Sequence, residues 1–199
     1  MTRRGLAFGL AANGMLLAAA PAFAHSGTGL AGGFGSGFGH PLSGADHMLA
    51  MVSVGLWGAF LGRPLLYLLP IIFPMIMVVG ALLGMVDLPL PSVEFGIAAS
   101  VLVLGGCIAL AVRAPLIVAL LLVGGFAVFH GYAHGRELPS AADPVGYSAG
   151  FVLATGLLHL LGIALGRLAD HRIGAAIVRI AGGLIAATGM ALLVGLAAR

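Results

Sequence analysis

Two short stretches hold most of the residues able to bind a metal. His40, Asp46 and His47 lie in Gly39–Met51, GHPLSGADHMLAM, and His130, His134 and Glu137 lie in Phe129–Glu137, FHGYAHGRE. His130 and His134 are four apart, one helical turn, which is the spacing by which a helix offers two imidazoles to a single ion. Glu137 continues that face if the helix persists past Gly135. His40 and His47 are seven apart, so on one continuous helix they would share a face about 10 Å apart along the axis, too far for one ion. Asp46 and His47 diverge by about 100° around a helix, so an ion they share needs ligands from another helix. Imidazole with carboxylate suits Ni(II), Co(II), Zn(II) or Cu(II) better than Mg(II) or Ca(II), which prefer all-oxygen shells. One intramembrane histidine is readily explained by a hydrogen bond; this concentration of histidines and acids points to a metal entrance.

The chain that must position these residues is strongly apolar. Its 199 residues are 61% hydrophobic and 8% charged, with a mean hydropathy of +1.16, outside the range of soluble domains and typical of a membrane protein. The net charge of +3 comes from nine arginines, with no lysine, against six acids, scattered at segment ends rather than gathered in a run, so there is no electrostatic footprint for nucleic acid. Cys107 is the only cysteine, which excludes an intrachain disulfide and a cysteine metal cage.

Residues 1–24 read as a secretory signal: Arg3 and Arg4, an apolar run, then Ala22-Phe23-Ala24 at the cleavage positions, which would leave His25 as the new N-terminus. An uncleaved first helix is the competing reading. Residues 25–41 are expected to be a Gly-rich, flexible extracytoplasmic connector without helical periodicity. Residues 42–199 then divide into six apolar segments, each near the roughly 20 residues a spanning helix needs: Leu42–Leu61, Pro64–Val86, Val93–Val112, Pro115–His134, Val145–Leu165 and Gly174–Ala197. Short connections make this an all-α, six-helix up-and-down bundle. Alternate connections carry Arg63, Arg113, Arg167 and Arg172, with Arg179 close by, and the others carry Asp87, Glu137 and Asp143 against Arg136. Short cytoplasmic loops hold the arginine excess. The bundle is therefore expected in a bacterial inner membrane with its N-terminus periplasmic, and His40, Asp46, His47, Glu94, His130, His134 and Glu137 share the outer side. The 33 glycines are accounted for by close helix packing in lipid.

Other residues carry two readings each. Glu94 opens the third segment, where it is either a site carboxylate or an acid favoured by the helix dipole. His159 lies deeper in the fifth segment, as a relay ligand or as a residue bonded to a neighbouring helix. Pro70 and Pro74 predict a kink or unwinding of the second segment, with Phe73 as a gate or as packing. Met48 and Met51 are expected to pack rather than ligate. Asp170 and His171 read as solvated surface.

With both motifs on the page, the chain resembles the HupE/UreJ family of nickel and cobalt permeases. The resemblance rests on His40-x5-Asp46-His47, on Phe129 through Glu137, on the signal preceding His25 and on the six-segment layout, and it covers essentially the whole chain. It implies uptake of Ni(II), with Co(II) next and Zn(II) as an alternative, for hydrogenase or urease maturation. The motif positions would be His40, Asp46, His47, His130, His134 and Glu137, with Glu94 and Phe73 as weaker additions. No prosthetic group and no enzymatic activity are implied.

In this reading the His25 amine and imidazole recruit the ion, the histidine cluster receives it, and it moves inward past Phe73 and His159. No Walker A pattern occurs, so the chain does not use ATP by that route on its own; its partners are the metal ion and the lipid bilayer. Two rivals remain: an intramembrane zinc hydrolase using Ser43, Asp46 and three histidines, and a bis-histidine haem protein using His130 and His159.

Overall fold

In the computed structural model, residues 30–137 and 143–199 are described. The expected signal and His25 lie outside them. Seven helices follow in order: α1 Leu30–Ser43, α2 Ala45–Leu61, α3 Leu65–Met85, α4 Val93–Ala109, α5 Leu116–Glu137, α6 Pro144–Gly166 and, after a 3-10 turn at Arg167–Asp170, α7 Arg172–Ala197. No strand occurs among the described residues.

The six apolar segments all appear as helices, α2 to α7, but fewer than six are long enough to cross a bilayer. Four qualify by length and composition: α3, α5, α6 with its 3-10 extension, and α7. A fifth crossing results if α1 and α2, bent by 81° at Gly44, count together as one broken span. α4 has 17 residues, about 26 Å at 1.5 Å per residue, short of the roughly 30 Å hydrocarbon core.

Two sequence expectations are corrected. The segment from Leu30 to Gly39, expected to be a flexible connector, is helical as part of α1. Its glycines provide the reason, since they let α1 lie directly on α6: a Cβ on Gly37 would collide with the Tyr147 carbonyl, and one on Gly150 with the Phe34 carbonyl. Tertiary contact thus overrides weak local propensity. Secondly, of the kink or unwinding expected at Pro70 and Pro74, the unwinding is absent: α3 stays helical from Leu65 to Met85. Prolines are tolerated in such helices when neighbouring groups take up the freed backbone acceptors.

The burial pattern is that of a protein surrounded by lipid. Ile71, Met75, Leu121, Ile177 and Leu184 face outward, while Ser53, Ser100, His130, His134, Thr155 and His159 are buried. Met51 lies in the core and Met48 packs against it, as expected for packing residues. Most of the acids lie at one end of the bundle and most of the arginines at the other. Asp87 pairs with Arg136 at 2.9 Å and Glu94 faces Arg199 at 3.9 Å at the end carrying both motifs. At the other end, Trp57 Nε1 donates to the Val112 carbonyl, Arg179 Nε donates to the Ala109 carbonyl, and Arg113 lies over the Phe60 ring. Asp170 and His171 are exposed there, as expected.

Candidate metal centre

The motif FHGYAHGRE works by alternation. Gly131 and Gly135 press against α3, where a Cβ on either would collide with the Met77 or the Ala81 carbonyl. His130 and His134, each one residue before a glycine, are thereby turned from the α3 contact into the bundle. Both are buried, His130 completely and His134 at 6% exposure.

The opposing ligands come from the bend between α1 and α2. Gly44 caps α2 in an extended conformation, φ −97° and ψ 117°, and the chain turns through 81°. On a continuous helix His40 and His47 would be too far apart for one ion; the bend brings their ring centroids to 6.3 Å. His134 is the hub, with its ring centroid 4.8 Å from His40 and 4.7 Å from His47, while His47 is 5.0 Å from His130. Glu137 closes the outer side: its Oε2 is 3.1 Å from His40 Nε2 and 3.8 Å from His134 Nδ1. Ligand atoms of His40, His134 and Glu137 all lie within 4.8 Å of one another. Atoms bound at about 2.1 Å to one ion are at most about 4.2 Å apart, so this trio need contract only slightly to hold one.

Two hydrogen bonds fix which ring nitrogens are available. Asp46 Oδ1 accepts the His47 backbone N–H at 2.9 Å and lies 3.0 Å from His47 Nδ1. A carboxylate there accepts the Nδ1 proton and leaves Nε2 as a lone pair. Asp46 therefore orients a ligand rather than serving most directly as one. On the facing side, Ser100 Oγ donates to the Ile97 carbonyl at 2.6 Å and is 3.0 Å from His130 Nε2. Having spent its single proton on Ile97, the hydroxyl accepts from His130 Nε2–H, which leaves Nδ1 as the lone pair. Among the described residues, His47 Nε2, His130 Nδ1 and both nitrogens of His134 are buried without a hydrogen-bond partner. Buried polar groups are normally paired. This convergence is the donor set a borderline transition metal takes.

Sequence reasoning missed Ser100. It sits in an apolar stretch where a serine ordinarily bonds back to its own helix, so its side chain carries no local signal.

The remaining candidates fall elsewhere. Glu94 opens α4 at the same end of the bundle but is exposed and faces Arg199, outside the cluster. Phe73 is fully buried, with its centroid 5.5 Å from both His130 and His159. His159 is buried one layer below the cluster. The shared phenyl ring occupies the space a haem between His130 and His159 would need. Ser43, one of the residues of the hydrolase reading, is exposed and donates its hydroxyl hydrogen to the His40 carbonyl at 2.8 Å.

A family profile described as HupE / UreJ protein matches residues 13–192. "Protein HupE" of Rhizobium leguminosarum bv. viciae is 46% identical over 178 residues, which is 89% of this chain and 93% of that one. No solved structure matches the chain. Both motifs fall inside the matched region, and the chain belongs to the HupE / UreJ family.

Proposed function

We propose that this protein is a permease that carries Ni(II), and next to it Co(II), inward across the bacterial inner membrane, supplying hydrogenase or urease maturation. The observation that supports this best is the set of buried, unpartnered imidazole nitrogens from α2 and α5 at one end of an apolar bundle. His40, His47, His130, His134 and Glu137 receive the ion, and Asp46 holds His47 in its binding tautomer. Glu94 at the rim attracts the cation, and a His25 freed by signal cleavage adds an amine and imidazole chelate. Phe73 is the gate beneath the cluster.

The arginine-bearing end faces the cytoplasm, following the bias of short inner loops, and the cluster faces the periplasm; α2 to α7 make six crossings, with the bilayer thinned locally around the short α2 and α4. A divalent cation entering gains ~4.6 kcal/mol per 100 mV of inside-negative potential, enough to drive uptake without an ATPase subunit. Nitrogen and oxygen ligands replace hydration as the ion enters, and conduction requires that they bind it weakly enough to let it leave. The hydrolase alternative has less support, because the Ser43 hydroxyl is committed to a backbone carbonyl.

The test is metal flux into proteoliposomes, with Ni(II), Co(II), Zn(II) and Cu(II) in competition, for the parent chain, His47→Ala and His134→Ala. Ni(II) flux that collapses in both variants supports the reading. Parent-level flux in both defeats it.

A further inference from the structure

Below the histidine cluster, three polar groups line the seam of α3 and α6, two of them buried side chains. His159 is 1% exposed, and neither ring nitrogen has a hydrogen-bond partner among the described residues. Thr155, one turn earlier on the same face of α6, is equally buried, and its hydroxyl is also unpartnered. The third is a backbone oxygen. In a helix the Pro70 carbonyl would accept from the N–H of residue 74, but residue 74 is proline and has none. His159 faces this freed carbonyl without completing a hydrogen bond to it.

The depth of this place can be read from the packing. Gly55 of α2 rests against the His159 backbone carbonyl, eight residues past His47 and thus about 12 Å further in. A pocket of about 110 Å³, open on one side past the exposed Val78 and Val152, runs along the same seam, with His134 at one end and Pro74 and Thr155 at the other, lined between them by Met77, Tyr147 and Phe151. It has room for several waters. The pocket therefore joins the hub of the outer cluster to Thr155, one turn before His159 on α6.

The geometry points to a second, inner ion station formed by the His159 imidazole, the Pro70 carbonyl and the Thr155 hydroxyl, taking the same divalent transition metal after it leaves the outer cluster. This rests on the permease reading. One nitrogen and two neutral oxygens, completed by water, make a weaker set than several imidazoles with a carboxylate. That order suits transfer, since an ion moving inward must not be held by its second site. The prolines of α3 then have a use beyond shape: Pro74 unmasks an acceptor that an ordinary helix would keep.

The test uses the full chain in nanodiscs and Co(II) as probe, with equilibrium stoichiometry and proteoliposome flux read on the parent, His159→Gln, Pro74→Ala and His47→Ala. Pro74→Ala restores an N–H to the Pro70 carbonyl while favouring the helix, so it withdraws a ligand without endangering the fold. The parent is expected to bind a tighter and a weaker equivalent. His159→Gln and Pro74→Ala should each lose the weaker equivalent and lose flux, and retention of the tighter one certifies that they are folded. A parent that binds a single Co(II), or variants that keep both equivalents whatever their flux, would overturn the inner station. His47→Ala separates the two ideas: loss of the tighter equivalent there upholds the entry site even when the inner station fails, no change in binding or flux removes His47 from that site, and a parent without Co(II) flux defeats the permease reading itself.

Discussion

Ser100 Oγ lies 3.0 Å from His130 Nε2 while donating its proton to the Ile97 carbonyl. This pairing makes the serine an acceptor and the histidine a donor at Nε2, so His130 presents Nδ1 to the cluster. Partners of this kind, one step behind the ligands, typically carry 10–100-fold in metal affinity. Ser100→Ala is expected to weaken Ni(II) or Co(II) binding by about tenfold, with little change in thermal stability. Isothermal titration of purified protein checks it, and affinity equal to the parent would remove Ser100 from the site.

Asp46 and Gly44 act on the same nitrogen of His47. A Cβ at Gly44 would come within 2.9 Å of Asp46 Oδ1 and 3.3 Å of His47 Nδ1. The carboxylate can move away, but only by leaving the imidazole. Gly44→Ala and Asp46→Asn should therefore both lower metal affinity by roughly 10–100-fold while the protein remains folded. Loss of folding in Gly44→Ala, read from size-exclusion profiles, would mean that the bend itself rather than the Asp46 to His47 contact is what Gly44 protects.

The close approach of α3 and α5 makes a stability prediction with an internal control. Gly131 and Gly135 would drive a Cβ into backbone carbonyls of α3, whereas Gly125 on the same helix has open space beside it. Gly131→Ala and Gly135→Ala are expected to destabilise by about 1–3 kcal/mol through overpacking. Gly125→Ala should be neutral or stabilising, by up to ~1 kcal/mol of helix propensity. Thermal unfolding in detergent distinguishes them, and equal melting points across the three would contradict the packing argument.

Glu94 lies outside the cluster but at the same end, opposite Arg199 across 3.9 Å between exposed side chains. A pair so exposed holds its members weakly, and a rim charge acts mainly on the rate of encounter. Glu94→Gln is expected to slow uptake at low metal concentration and to reduce its salt dependence, leaving equilibrium affinity at the cluster unchanged. A drop in that affinity would instead place the carboxylate among the ligands.

The sequence alone determined what depends on local pattern. Hydropathy located the helices from α2 to α7, and the four-residue spacing of His130 and His134 put two imidazoles on one face, because helical periodicity is a property of a few consecutive residues. The alternation of segments likewise put most of the acids and the two motifs at one end and Arg63, Arg113 and Arg179 at the other. Tertiary structure decided what depends on contact between distant residues. The bend at Gly44 that unites His40 with His47 exists because α1 lies on α6 through Gly37 and Gly150. Asp46 and Ser100 have roles only once His47 and His130 are turned toward each other. The freed carbonyl of Pro70 follows from sequence, but only the packing of α6 brings His159 to its side, since which faces meet is fixed by side-chain and backbone fit across helices and not by the period of any one of them.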